Sequence, residues 1–162
     1  MDGPLNPYAA KPSRRPDGYT THRLRPIGWR EHERRRPLRV WLNPAQGEQL
    51  LALPYDLVWC TTWEHEANTM IGPALGLPEL PVIEFPNNAL DTAGGLFWKT
   101  RHVVEWAGGR PFAWVDDDIT GADEAFVSEQ HQGRALLRLV SPRLGLLAPD
   151  FELLAAWAAE ME

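Results

Sequence analysis

Apolar and polar positions along this chain fall into short runs of two different periods. Residues 19–25 and 38–42 are short, β-rich runs, which predicts two strands. The basic connector between them passes through Gly28, and the whole of 17–42 reads as a hairpin flap. Asn43-Pro44 supplies a capping side chain followed by a proline in the first helical turn, so a helix is expected from there to about Leu53, stopped by Pro54. The apolar run 56–60 reads as a buried strand. Thr61 and Glu64 have capping-box spacing and predict a helix through Ala67 and Ile71. A strand is expected over 81–85, then a helix over 97–107 closed by Gly108-Gly109. Residues 112–115 form a further apolar run, ended by Asp116-Asp117-Asp118. Thr120 with Asp123 caps a helix running to Gly133, 135–140 is a strand, and 149–160 carries Phe151, Leu154 and Trp157 at helical spacing.

Strands and helices therefore alternate from residue 44 onward. That order implies an α/β protein, a Rossmann-like parallel sheet with helices on both faces. Ligands of such sheets bind beyond the carboxyl ends of the strands. The length of 162 residues suits one domain, 1–162, and a hydrophobic fraction of 44% is enough for a core. The eight tryptophans are spread along the chain, which suits core and cleft walls better than one binding platform. Cys60 is the only cysteine; it cannot form an internal disulfide and sits in an apolar run as a small hydrophobe would. No apolar run is long enough to cross a bilayer, and a cytoplasmic location is expected.

The net charge of −6 is unevenly placed. Residues 1–40 hold one lysine and nine arginines against four acids, a net of +6, which leaves −12 on the remainder. A basic arm on an acidic body suits an anionic partner such as phosphate or nucleic acid. A solvated arginine-rich loop explains it equally well.

Thr61, Asp116 and Asp117 stand beyond the expected strand ends, with Asp2 at the very start of the chain and Lys99 near a helix start. Carboxylates hold Mg²⁺ through oxygen, and a hydroxyl holds phosphate oxygens. A lysine neutralises charge shared by phosphate and carboxylate, and a further carboxylate protonates a leaving oxygen. Each residue alone has an ordinary explanation: a turn, a helix cap, a solvated cation. The ordered set is more specific. Glu64-His65-Glu66 is weaker as a ligand group, because adjacent helical side chains diverge. The histidines are scattered, and Ser141–Leu146 reads equally as a cleft edge or as a turn.

Asp2-Gly3-Pro4-Leu5-Asn6-Pro7 resembles the second half of the first motif of the haloacid dehalogenase-type phosphohydrolases, Asp-x-Asp-Gly-x-Leu-Asn. Thr61 matches the second motif, Lys99 the third and Asp116-Asp117 the fourth, so the resemblance covers nearly the whole chain. The stretches 59–68 and 112–117 are similar to a compact subgroup that includes such domains of RNA-repair proteins. The resemblance implies a Mg²⁺-dependent phosphatase with a small cap or none, working through an aspartyl-phosphate. It makes Asp2 the general acid/base with a carbonyl on the metal, Thr61 and Lys99 the phosphate ligands, and Asp116 and Asp117 metal ligands. It leaves Asp118 without a role. The open site suits a phosphorylated substrate as large as a nucleic-acid end, guided by flap arginines. The family's nucleophile lies two residues before the acid/base, a position ahead of Met1, and its first strand is likewise absent from 1–162. A start placed too late is therefore expected, with a non-catalytic phosphate- or nucleic-acid-binding relative as the alternative. A two-metal nuclease on Asp116–Asp118 fits less well.

Overall fold

The computed structural model describes residues 1–27, 36–86 and 95–161. Strands β1 (Thr20–Leu24) and β2 (Leu38–Leu42) pair antiparallel, with Thr20 opposite Leu42 and Leu24 opposite Leu38. This is the expected hairpin; residues 28–35 of its connector, with Arg34 and Arg35, lie outside the described residues. Val40, Trp41 and Leu42 are buried, so the hairpin is anchored by its second strand. Helix α1 (Pro44–Leu51) starts where the sequence indicates, with Asn43 Oδ1 accepting the Ala45 amide at 3.1 Å. Gly47 is required there because a Cβ would collide with the Leu75 carbonyl.

The region 56–85 departs from expectation. The two strands expected over 56–60 and 81–85 are reduced to one parallel bridge, Trp59 to Val82. The Trp59 amide donates to the Pro81 carbonyl and the Ile83 amide to the Trp59 carbonyl, both at 2.9 Å. Thr61 and Glu64 do not open a helix. Residues 62–65 are turns, Glu64 has φ of 43°, and its carboxylate accepts the Phe85 amide instead. A five-residue π-helical segment, Ala67–Ile71, leads into the short α2 (Gly72–Leu75). Pro73 lacks the amide that would continue an uninterrupted α-helical ladder, and the register changes next to it.

Helix α3 (Thr100–Ala107) begins three residues later than expected, after turns at Trp98 and Lys99, and ends at Gly108 with φ of 55°. Strand β3 (Phe112–Asp116) pairs in parallel with β4 (Ala135–Leu139), and α4 (Gly121–Gln130) connects them. Helix α5 (Ala148–Ala159) is the last. Among the described residues the protein is thus a mixed α/β structure of five helices and two two-stranded sheets, one of them a parallel pair. No described helix is long and apolar enough to cross a membrane.

The buried apolar residues form two clusters on opposite sides of β3. Trp114, with Val58 and Cys60, belongs to one, together with Val103 of α3. Val115, with Leu57 and Trp59, belongs to the other, together with Phe151 of α5. Neighbouring residues of an extended segment point to opposite faces, and here both faces are apolar.

Candidate functional site

Asp2, Thr61, Lys99, Asp116 and Asp117 line one open cleft of about 380 Å³, although they come from four distant parts of the chain. Asp116, the last residue of β3, is buried. Its Oδ2 accepts Lys99 Nζ at 2.8 Å, and its Oδ1 accepts the amides of Asp117 (2.9 Å) and Asp118 (3.3 Å). Lys99 is buried too, so this ion pair is largely removed from water. Lys99 immediately precedes α3, and the turn before that helix aims its ammonium group back at the strand end.

Asp117 points toward the flap side. Its Oδ2 accepts the Tyr8 hydroxyl at 2.9 Å. Burial pushes its pKa up, and the neighbouring charges of Asp116 and Asp118 push the same way, against the Tyr8 hydrogen bond. Burial and the Asp117 contact raise the Tyr8 phenol to about 12. One carboxylate oxygen from each of Asp116, Asp117 and Asp118 falls within 4.8 Å of the others, which suits a hard divalent cation with oxygen ligands. Asp118 is exposed.

The Asp2–Asn6 loop packs against this cluster. Gly3 has φ of 80°, and a Cβ there would fall on the Asp117 carboxylate, so only glycine lets the loop approach so closely. Asp2 Oδ1 accepts Asn6 Nδ2 at 2.7 Å and Oδ2 accepts Trp63 Nε1 at 2.9 Å. Both oxygens are thus oriented before any ligand arrives. Asn6 in turn accepts the Trp41 amide through Oδ1 at 3.0 Å, which ties the loop to β2. Thr61 is buried, and its Oγ1 accepts the Trp63 amide at 3.2 Å. Its position after Cys60 is as expected, but the amides beside it belong to a turn, not to a helix start.

Several cleft residues were not legible in the sequence. Trp63 orients Asp2, and Tyr8 holds Asp117. Arg39 of β2 lies 3.8 Å from the Trp41 ring centroid and donates through Nη2 to the Tyr8 carbonyl at 3.0 Å. Its Nη1 is buried without a partner. The half-buried Phe97 and Trp98 form the wall beside Lys99. Arg23 sits directly opposite Arg39 in the hairpin register, so two cations face each other on the flap. No protein-family model matches the chain, and no match was found among curated proteins or solved structures.

Proposed function

We propose that this protein is a Mg²⁺-dependent phosphohydrolase of the haloacid dehalogenase type, with β1–β2 as a basic flap, no separate cap domain and a doubly covered parallel sheet. The observation that carries the reading is the meeting of Asp2, Thr61, Lys99, Asp116 and Asp117 in one cleft, since residues 114 positions apart had no local reason to converge. The donor set fits the cation. Asp117 is a carboxylate whose charge is disfavoured where it stands, and a divalent ion beside it relieves that cost. Asp116 and Asp117 would hold Mg²⁺, with the Asp2 carbonyl as a further oxygen. Bound there, Mg²⁺ supplies charge neutralisation for a phosphoryl group.

The remaining roles belong to the chain. Lys99 neutralises phosphate charge from the side of Asp116, and the Thr61 hydroxyl donates to a phosphate oxygen. Asp2, fixed by Asn6 and Trp63, delivers a proton to the leaving oxygen. In the family's pattern the attacking carboxylate stands two residues ahead of the acid/base, here Asp2. Residues 1–162 alone are therefore expected to bind Mg²⁺ and inorganic phosphate without turning over a phosphate ester.

Calorimetry with Mg²⁺ and phosphate tests the reading. Saturable binding that Asp116→Asn abolishes supports it, and binding unchanged by that substitution rejects it. Turnover of p-nitrophenyl phosphate by residues 1–162 would show that the assignment of the nucleophile is wrong. A nucleic-acid end is the favoured substrate, because facing arginines on the flap are relieved by a polyanion. The alternative, phosphate or nucleic-acid binding without catalysis in any longer form, predicts the same affinities and no turnover.

A further inference from the structure

Several arginines of this protein are answered by the protein itself. Arg134 pairs with Glu160 and Arg138 with Asp150, and Arg110 donates to the carbonyls of Ala107 and Trp106. Arg39, which lines the polar cleft, is served differently. A guanidinium presents five N–H donors in one plane. Arg39 spends Nη2 on the Tyr8 carbonyl at 3.0 Å, while Nη1 is buried with no partner. Among the described residues no carboxylate pairs with it. Its flat face rests on the Trp41 ring, 3.8 Å from the centroid, which offsets only part of the cost of removing a cation from water. Arg23, opposite it in the hairpin register, adds positive charge instead of relieving it.

The guanidinium is also held in place. Trp41 beneath it is pinned twice: its Nε1 donates to Thr21 Oγ1 at 3.0 Å, and its amide donates to Asn6, which itself holds Asp2. Tyr8 accepts Arg39 on its carbonyl and gives its hydroxyl to Asp117. Arg39 is therefore fixed relative to Asp2 and stands across Tyr8 from the aspartate cluster. A cation so placed, and so little neutralised, is arranged for an anion that arrives with the ligand. Lys99 and Thr61 take the reacting phosphate, so Arg39, reaching the cleft from the flap, meets a different part of the substrate.

We propose that Arg39 is a specificity residue that binds a second phosphate, carried on the leaving group of the phosphomonoester. The preferred substrate then has two phosphates joined by one organic body. This inference rests on the phosphohydrolase reading for the first phosphate and on Arg39 for the second. The planar fork suits a phosphate, which accepts through two oxygens at once. Phe97 and Trp98 line the same cleft, and Trp98 is held nearly perpendicular to Phe85, with ring centroids 4.7 Å apart. Such ring surface favours a nucleoside as the joining body. A sugar that carries two phosphates offers the same pair of anions without a base.

Calorimetry on the 162-residue chain at one fixed free Mg²⁺ concentration tests this, with adenosine 3′,5′-bisphosphate set against adenosine 3′-monophosphate and 5′-monophosphate. The bisphosphate should bind more tightly than either monophosphate by at least about tenfold, the size of one charge-assisted hydrogen bond. Arg39→Gln should bring that ratio down to about one, since the amide offers no charge to the second phosphate. A merely structural role for Arg39 would weaken all three ligands together and leave the ratio standing. Arg39→Lys keeps the charge without the flat fork and should give an intermediate ratio, which preserves the test if the glutamine variant does not fold. Fructose 1,6-bisphosphate against fructose 6-phosphate separates the two sources. A preference in both pairs means that the second anion alone is read, and a preference confined to adenosine means that the rings contribute; either supports the role of Arg39. Monophosphate binding with no bisphosphate preference overturns this inference alone, as does a ratio that both variants keep. No binding of any of these phosphates rejects the phosphohydrolase reading, and this inference with it.

Discussion

Asp117 and Asp123 lie six residues apart, both beyond the end of β3, and their surroundings drive them in opposite directions. Asp123 is fully buried. Its Oδ1 accepts the Thr100 hydroxyl at 2.6 Å and the Phe97 amide at 2.8 Å, and its Oδ2 accepts the Thr120 amide and hydroxyl at 2.8 and 2.7 Å. Burial alone would raise its pKa, but these four donors outweigh burial and lower it. Asp117 has one hydroxyl donor from Tyr8, two acidic neighbours and partial burial, and its pKa is raised. A carboxylate with every lone pair answered by the protein holds the fold together. One left short of donors in a cleft is available to a cation. The contrast assigns Asp123 to architecture, because it ties the start of α4 to the turn that positions Lys99, and Asp117 to the ligand.

The comparison can be broken most decisively at Asp123. Asp123→Ala orphans buried donors from Thr100, Thr120 and Phe97, and should cost about 3 kcal/mol in denaturant unfolding. A loss well under about 1 kcal/mol would remove the architectural role. Asp117→Asn should do the reverse. Stability should hold or rise, while Mg²⁺ affinity falls at least roughly tenfold, a floor set by what outer-sphere partners alone contribute at metal sites. Equal Mg²⁺ affinity in calorimetry would put the cation elsewhere.

Acid titration sharpens the contrast, since the two shifts have opposite signs. The folded pKa of Asp123 is lowered, so its contribution is present above the unfolded value of about 3.9 and is lost as pH falls through the folded value. The folded pKa of Asp117 is raised, so its contribution is present below about 3.9 and is lost as pH rises through the folded value. Asp117→Asn should therefore gain stability over wild type above that window, and Asp123→Asn should flatten the acid limb. Mg²⁺ affinity in the wild type should weaken as pH falls through the raised Asp117 value. The smallest effect is expected from Tyr8→Phe, which removes the one side-chain hydrogen bond to Asp117, raises its pKa further and moves the acid loss of Mg²⁺ affinity to higher pH. Identical pH profiles of Mg²⁺ affinity in the two proteins would show that Tyr8 does not tune the site.

Local signals were read well where the physics was local. Asn43-Pro44 starts a helix, Thr120 pairs with Asp123, and Gly108 ends α3, because each acts within a turn of its own position. The chain failed to announce that 61–66 would be turns, since Glu64 had two uses, a cap three residues from Thr61 or an acceptor for Phe85, and the distant one prevailed. The strands expected over 56–60 and 81–85 have suitable composition but share only one bridge, because a strand exists only as far as a partner edge extends beside it.

By itself the sequence determined the chemistry on offer: a carboxylate next to a glycine, a hydroxyl after an apolar run, one lysine before a helix, and consecutive aspartates after another apolar run. It also determined the hairpin and the helix starts at Asn43 and Thr120, which rest on spacings of a few residues. Tertiary structure alone decided which carboxylate was saturated and which was left open. It also decided that Trp63 would orient Asp2 and that Tyr8 would reach Asp117 across 109 positions. Burial and hydrogen-bond count depend on what the rest of the chain brings alongside a residue, and neighbours in sequence carry no record of that.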